Sequence, residues 1–228
     1  MLGDKFPDFE CHTTAGVFSL HAWAEQKRTL CPKDPWILFF SHPADFTPVC
    51  TTEISQLMKE QAKLEALNLY PIGLSVDDLE FHLKWREHLS IFSGLSATDV
   101  PPIIADPNGK IASLLGMLDS YDHDPSNVIN GIPLTVRSVF VLDHRMSVRA
   151  IWTYPASVGR LWSEIFRVVE ALQLSEKYPI ATPESWTPNS AVLIRANIST
   201  EDAMPLLPKD TKVSVPFSDI PYVRFAKL

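Results

Sequence analysis

Cysteine is scarce in this chain of 228 residues: Cys11, Cys31 and Cys50 are the three, and no two form a Cys-x-x-C pair. Nor do the cysteines and histidines stand at spacings typical of a structural zinc site. These absences exclude a disulfide scaffold and a thioredoxin-type dithiol exchange, and they point to a reducing compartment. Positive charge is also short. Twenty Lys and Arg against 27 Asp and Glu leave a net charge of −7, so no general attraction to nucleic acid or an anionic membrane is expected. No run approaches the roughly 20 apolar residues of a membrane span, and the N-terminus lacks the basic and apolar regions of a secretory signal. The expected location is therefore the cytoplasm. The length allows one domain with a good core, alone or with a smaller appendage.

What the chain does have is one cysteine in a distinctive setting. Trp36 to Phe40 reads as a buried strand, Ser41 to Thr47 as turn chemistry, and Pro48 suits the opening of a helix whose apolar face runs through Ile54, Leu57, Met58 and Ala62. Cys50 then falls in the first helical turn. Unpaired backbone N–H groups and the helix dipole favour a thiolate there, lowering the pKa from its reference of about 8.5. Most lone free cysteines are buried core residues. Here Thr47 adds a hydroxyl one turn before the sulfur, and Pro43 and Pro48 stiffen the loop that delivers it.

The run Pro43-x-x-x-Thr47-x-x-Cys50 resembles the peroxidatic motif of the peroxiredoxins, and Ser41 to Glu53 as a whole is similar to the one-cysteine branch, the peroxiredoxin six type. The likeness extends through Leu2-Gly3-Asp4 and Phe6-Pro7-Asp8-Phe9, Gly73 to Asp77, Arg137 to Val141, Tyr154 to Arg160, and a linker-like Ala181 to Trp186.

Strands and helices alternate along the chain, which indicates an α/β layered domain. The expected strands are Val17 to Leu20, Trp36 to Phe40, Tyr70 to Ser75, Pro102 to Ala105, Val136 to Leu142 and Ser147 to Tyr154, the last two joined as a hairpin through Asp143 to Met146. Asp77 is expected to cap a helix with Leu79, Leu83 and Ile91 on its apolar face. Leu161, Ile165, Val168, Val169 and Leu172 mark a further helix. Ile111 to Met117 reads as a short helix, while Glu25 to Pro35 and Asp119 to Pro133 read as loops. The resemblance implies a thioredoxin-like fold, a central mixed sheet flanked by helices. Proline then breaks the chain from about Ser175, so residues 1–177 are expected to form the main domain and 178–228 a small C-terminal extension. Val192 to Ile194 and Tyr222-Val223 read there as strands too short to stand alone, which suggests a homodimer contact.

The same resemblance implies the chemistry. Cys50 would attack a hydroperoxide and become a sulfenic acid, with Thr47 bonding the peroxide, Pro43 shielding the sulfur and Arg137 holding the thiolate and the charge of the transition state. His42 matches a histidine placed near the sulfur in this branch, and Arg160 matches a further arginine whose alternative is helix capping. Glu53, one turn after Cys50, reads either as a carboxylate that orients an arginine or as an ordinary exposed helix glutamate. Trp85 and Trp186 read as structural aromatics, Cys11 and Cys31 as bystander thiols, and His82, like the other remaining histidines, has no partner at metal-ligand spacing. No cofactor and no metal are expected.

No cysteine follows Cys50, so the sulfenic acid must meet an external thiol, for which the branch suggests glutathione with a glutathione transferase. Hydrogen peroxide and organic hydroperoxides are the expected substrates. The alternatives are a redox-regulated chaperone or signalling protein with weak peroxidase activity, and a cysteine hydrolase in which Thr47 and Arg137 have no place. A phospholipase A2 activity attributed to the branch uses a serine where this chain has Pro35, which leaves His21 without a nucleophile, and is not expected.

Overall fold

The computed structural model describes residues 1–30, 33–119, 128–129, 131–217, 220 and 222–228. It divides into two compact units, Met1–Arg160 and Leu161–Leu228. In the first unit the strands are β1 (Glu10–Thr13), β2 (Gly16–Ser19), β3 (Trp36–Ser41), β4 (Leu69–Ser75), β5 (Ile103–Ala105), the short pair β6 (Val128–Ile129) and β7 (Ile132–Pro133), β8 (Arg137–Leu142) and β9 (Val148–Tyr154). Its helices are α1 (Leu20–Leu30), α2 (Pro48–Lys59), α3 (Gln61–Ala66), α4 (Leu79–Ser93) and α5 (Lys110–Leu114).

Seven strands form one sheet in the order β2-β1-β5-β4-β3-β8-β9. The pairs β3–β4 and β4–β5 are parallel and every other pair is antiparallel, which makes the sheet mixed. β3 lies between β4 and β8, and all six of its residues are buried, as a near-continuous apolar run requires of a strand covered on both faces. Its side chains alternate. Ile37 and Phe39 join Phe6, Leu20, Ile72, Leu74, Ile104 and Leu142 in one core cluster. Phe40 points the other way and needs Gly73 beside it, since a Cβ there would stand 3.1 Å from the phenyl ring.

This topology decides where chemistry can occur. The C-terminal end of β3 runs into the loop of residues 42–47 and then into α2, while β8 begins beside it because Phe40 pairs with Val139 in the antiparallel register. The start of α2 and the start of β8 therefore meet at one edge of the sheet, the edge at which open α/β sheets present their ligands.

The second unit holds α6 (Trp162–Lys177), β10 (Ile180–Ala181), β11 (Val192–Ile194), α7 (Thr200–Ala203), β12 (Lys212–Ser214) and β13 (Phe225–Lys227), with its strands in the order β10-β11-β13-β12. Ala171, Ile180, Trp186, Val192, Ile194, Ala203, Leu207 and Ala226 form its own small core.

Several sequence expectations change. The unit boundary falls before α6, because Ala171 on that helix packs into the small C-terminal core; the sequence reading places it at residues 177/178. Glu25 to Leu30 is helical, since α1 buries Leu20, Trp23 and Ala24 and leaves its charged residues in solvent. Cys31 lies outside the described residues. Glu10–Thr13 is a strand missed by the sequence reading, Val128–Ile129 and Ile132–Pro133 pair within an expected loop, and Phe225–Lys227 takes the place of Tyr222-Val223 as a strand. Asp78, not Asp77, caps α4 by accepting from the Phe81 N–H. The buried face of α4 is His82, Trp85 and Leu89, whereas Leu83 and Ile91 are exposed.

Candidate active site

Thr47 is the N-cap of α2 in extended conformation (φ −102°, ψ 148°), and Pro48 opens the helix. The Thr47 hydroxyl does not cap the helix; it donates to the Ala44 carbonyl at 2.8 Å and so closes the loop on itself. The first backbone bond of the helix runs from Thr51 N–H to Thr47 O at 3.0 Å, which leaves the Cys50 N–H among the orphan donors of the first turn. Cys50 is fully covered, and Pro43 is buried in the loop before it.

Arg137, the first residue of β8, brings Nη1 to 3.2 Å from Cys50 Sγ. The same nitrogen donates to Glu53 Oε2 at 2.7 Å. The other edge of the guanidinium is fixed by the Ala156 carbonyl, which accepts from Nε at 2.9 Å and from Nη2 at 2.6 Å. Arg160 is clamped in turn. Its backbone N–H and Nε donate to Glu53 Oε1 at 2.6 and 2.9 Å, Nη2 donates to Oε2 at 2.8 Å, and Nη1 donates to the carbonyls of Ser41 and Ser138 at 2.8 and 3.2 Å. Its guanidinium also lies over the Phe40 ring at 5.1 Å.

Glu53 thus sits between two buried guanidinium groups. Burial works against its charge, but the hydrogen bonds and the positive charge of Arg160, with the charge of Arg137, outweigh that and hold its carboxyl below the usual range. The open choice for Glu53 resolves to the buried, arginine-orienting reading, and Arg160 binds Glu53 instead of capping a helix.

The sequence candidates Cys50, Glu53, Arg137 and Arg160 therefore converge, with Thr47 and Pro43 in the adjoining loop. His42 is buried in that loop too. Its Nε2 lies 2.8 Å from Asp45 Oδ1, and no hydrogen bond joins it to Cys50 among the described residues. His82 corrects its sequence reading: it meets Asp45 Oδ2 through Nδ1 at 2.7 Å, a partner 37 positions away that no spacing along the chain reveals. Asp45 was legible only as an acidic residue three positions after His42. Trp85 and Trp186 are buried as structural aromatics, and the Trp85 ring lies tilted by 32° against the His42 ring, 5.0 Å between centroids. His21 faces the Phe6 carbonyl at 2.9 Å.

The AhpC/TSA family model matches residues 2–151, well over half of the chain. Mouse peroxiredoxin-6 is 38% identical over 211 residues, covering 92% of this chain and 89% of the mouse protein. The chain belongs to the AhpC/TSA family, among the peroxiredoxins. Solved structures agree on fold and branch. A cysteine-to-serine mutant of the peroxiredoxin 6 of Arenicola marina superposes with a TM-score of 0.86 at 34% identity, covering 100% of this chain and 97% of that one. The yeast mitochondrial 1-Cys peroxiredoxin, a structure concerned with thiol resolution through glutathione and thioredoxin systems, gives 0.82 at 34% identity, covering 100% and 99%. This peroxiredoxin has the thioredoxin-like fold of its family and is a thiol-dependent peroxidase.

Proposed function

We propose that Cys50 is the peroxidatic residue, with Arg137 as its electrostatic partner and Thr47 and Pro43 as the loop residues that receive and shield the peroxide. The Cys50 thiolate attacks one oxygen of a hydroperoxide, the O–O bond breaks, and the sulfur keeps the attacked oxygen as a sulfenic acid. The other oxygen leaves as an alkoxide, or as hydroxide from hydrogen peroxide, and takes a proton to become alcohol or water. The observation that carries this reading is the single nitrogen of Arg137 placed 3.2 Å from the sulfur and 2.7 Å from Glu53. Glu53 and Arg160 fix that guanidinium before any substrate arrives, so stabilising the charge that develops needs no rearrangement.

With no cysteine after Cys50 in the chain, the sulfenic acid condenses with an external thiol, releasing water, and a second thiol then frees Cys50 from the mixed disulfide. The yeast relative's glutathione and thioredoxin systems support glutathione as that thiol here. A homodimer in the cytoplasm completes the reading, and sedimentation as a monomer at micromolar concentration would contradict the dimer.

The test is to add one equivalent of hydrogen peroxide and trap with a sulfenic-acid-specific dione, followed by peptide mass mapping. The adduct is expected on Cys50. An adduct on Cys11 or Cys31 with Cys50 unmodified would refute the assignment. A chaperone reading predicts instead that holding of unfolded clients survives Cys50→Ser and that peroxide consumption is weak.

A further inference from the structure

Behind the Cys50–Arg137 pair the loop of residues 42–47 is held by a second buried network. Asp45 places one carboxylate oxygen against each of two imidazoles, Oδ1 at 2.8 Å from His42 Nε2 and Oδ2 at 2.7 Å from His82 Nδ1, with all three side chains wholly inaccessible. The Asp45 backbone N–H donates to Asp77 Oδ2 at 2.9 Å, and the Ser75 hydroxyl donates to the same oxygen at 2.7 Å. Both Asp45 and the segment it anchors are thereby tied to the end of β4 and to α4.

His42, Asp45 and His82 are residue types that can bind a metal, and their donor atoms lie within 4.8 Å of one another. Their separations, however, are those of shared protons. Tetrahedral zinc with bonds of about 2.0–2.1 Å would keep neighbouring ligands roughly 3.3 Å apart, more than the 2.7 and 2.8 Å found.

The two rings differ in what they face. His82 meets oxygen at both nitrogens, Asp45 through Nδ1 and the Ile104 carbonyl through Nε2 at 3.3 Å. His42 meets an acceptor only at Nε2, and its buried Nδ1 has no partner among the described residues. Which nitrogen of an imidazole carries the proton is set by the bond the other makes. A carboxylate cannot donate, so the shared proton must sit on His42 Nε2.

We propose that Asp45 and His82 are positioning residues that fix His42 as its Nε2–H tautomer, keeping Nδ1 as a bare acceptor for a hydroxyl donor, the class that includes both a hydroperoxide and a cysteine sulfenic acid. The use of that acceptor rests on the peroxidase reading above; the tautomer does not. Burial alone would disfavour the Asp45 charge, but the hydrogen bonds from His42 and His82 hold its carboxyl below the usual range, which keeps it an acceptor near neutrality.

The test combines long-range proton–nitrogen NMR of the histidine rings with stopped-flow oxidation by hydrogen peroxide. In the unaltered protein His42 is expected to show a protonated Nε2 and an unprotonated Nδ1. Asp45→Leu removes the acceptor that holds the proton on His42 Nε2, so the tautomer is no longer fixed; the peroxide rate constant should fall roughly tenfold or more, the scale on which loss of a partner that orients a histidine acts. His82→Leu removes one of the two donors that hold Asp45 and should lower the rate in the same direction, whereas His82→Gln, whose amide N–H can still donate to Asp45, should recover part of the loss; no loss in a folded His82→Leu variant removes His82 from the proposal. A protonated Nδ1 on His42 in the unaltered protein overturns the proposal, and so does a folded Asp45→Leu variant with an unchanged rate. If Asp45→Leu does not fold, the spectrum of the unaltered protein still decides the tautomer. Should Cys50→Ser retain peroxide reduction while His42 keeps the expected tautomer, the assignment of Cys50 fails and the tautomer assignment stands.

Discussion

Arg160 reaches back 107 positions to Glu53 and holds both of its carboxylate oxygens, Oε1 through the backbone N–H and Nε and Oε2 through Nη2. The same carboxylate orients the Arg137 nitrogen that faces Cys50, so the last residue of the first unit and the start of α2 are joined through the reaction centre. Removing the acid leaves two buried guanidinium groups short of a partner. Glu53→Ala is expected to destabilise the fold by about 3–5 kcal/mol, the range for breaking a buried ion pair from one side. Chemical denaturation checks this, and a loss within 0.5 kcal/mol, the scale of an ordinary surface change, would show the pair to be dispensable.

The sign of the pH effect follows from the same group. The folded-state pKa of Glu53 lies below its ordinary value of 4.5, so its contribution to stability is fully present above that value and is lost as pH falls through the folded pKa. Stability between neutral and acid pH should fall more steeply in the unaltered protein than in Glu53→Gln. Parallel curves for the two proteins would contradict the assignment.

Cys11 provides an internal control. It is fully covered, and burial first, then the negative charges of Asp8 and Glu10, push its thiol up to about 12. Near neutral pH it is protonated and inert. Mass mapping after brief treatment of the folded protein with iodoacetamide should find Cys11 unmodified until denaturant is added. Ready labelling of Cys11 in the folded state would argue against its burial.

Arg137→Lys preserves the charge but not the fork. A lysine cannot serve the sulfur, Glu53 and the Ala156 carbonyl from fixed positions, as the guanidinium does at 3.2, 2.7 and 2.6–2.9 Å. The second-order rate constant for hydrogen peroxide should drop on the order of 100-fold, comparable with loss of one preorganised donor. A rate within threefold of the original would mean that charge alone suffices.

Much of this centre was legible because its signals are local. The apolar run of β3, the turn residues after it and Pro48 fix the position of Cys50 within a single stretch of sequence. Glu53 was ambiguous by charge but not by geometry, since it shares the buried face of α2 with Cys50, Ile54 and Leu57. The face of α4 was misassigned for a related reason. Leu83 and Ile91 look like core residues and are exposed, while His82, left off the apolar face, is buried with Nδ1 hydrogen-bonded to Asp45. Contacts between residues far apart in sequence leave no trace in local periodicity. Arg137 and Arg160 entered through family resemblance, and the His82–Asp45 bond entered only with the fold.

The most direct test of the account is single-turnover stopped-flow oxidation by hydrogen peroxide, comparing Cys50→Ser with the Cys11→Ser/Cys31→Ser double variant. The fast phase should vanish in the first and persist unchanged in the second. A fast phase that survives loss of Cys50, or disappears while Cys50 is intact, would contradict a mechanism built on one sulfur beside Arg137.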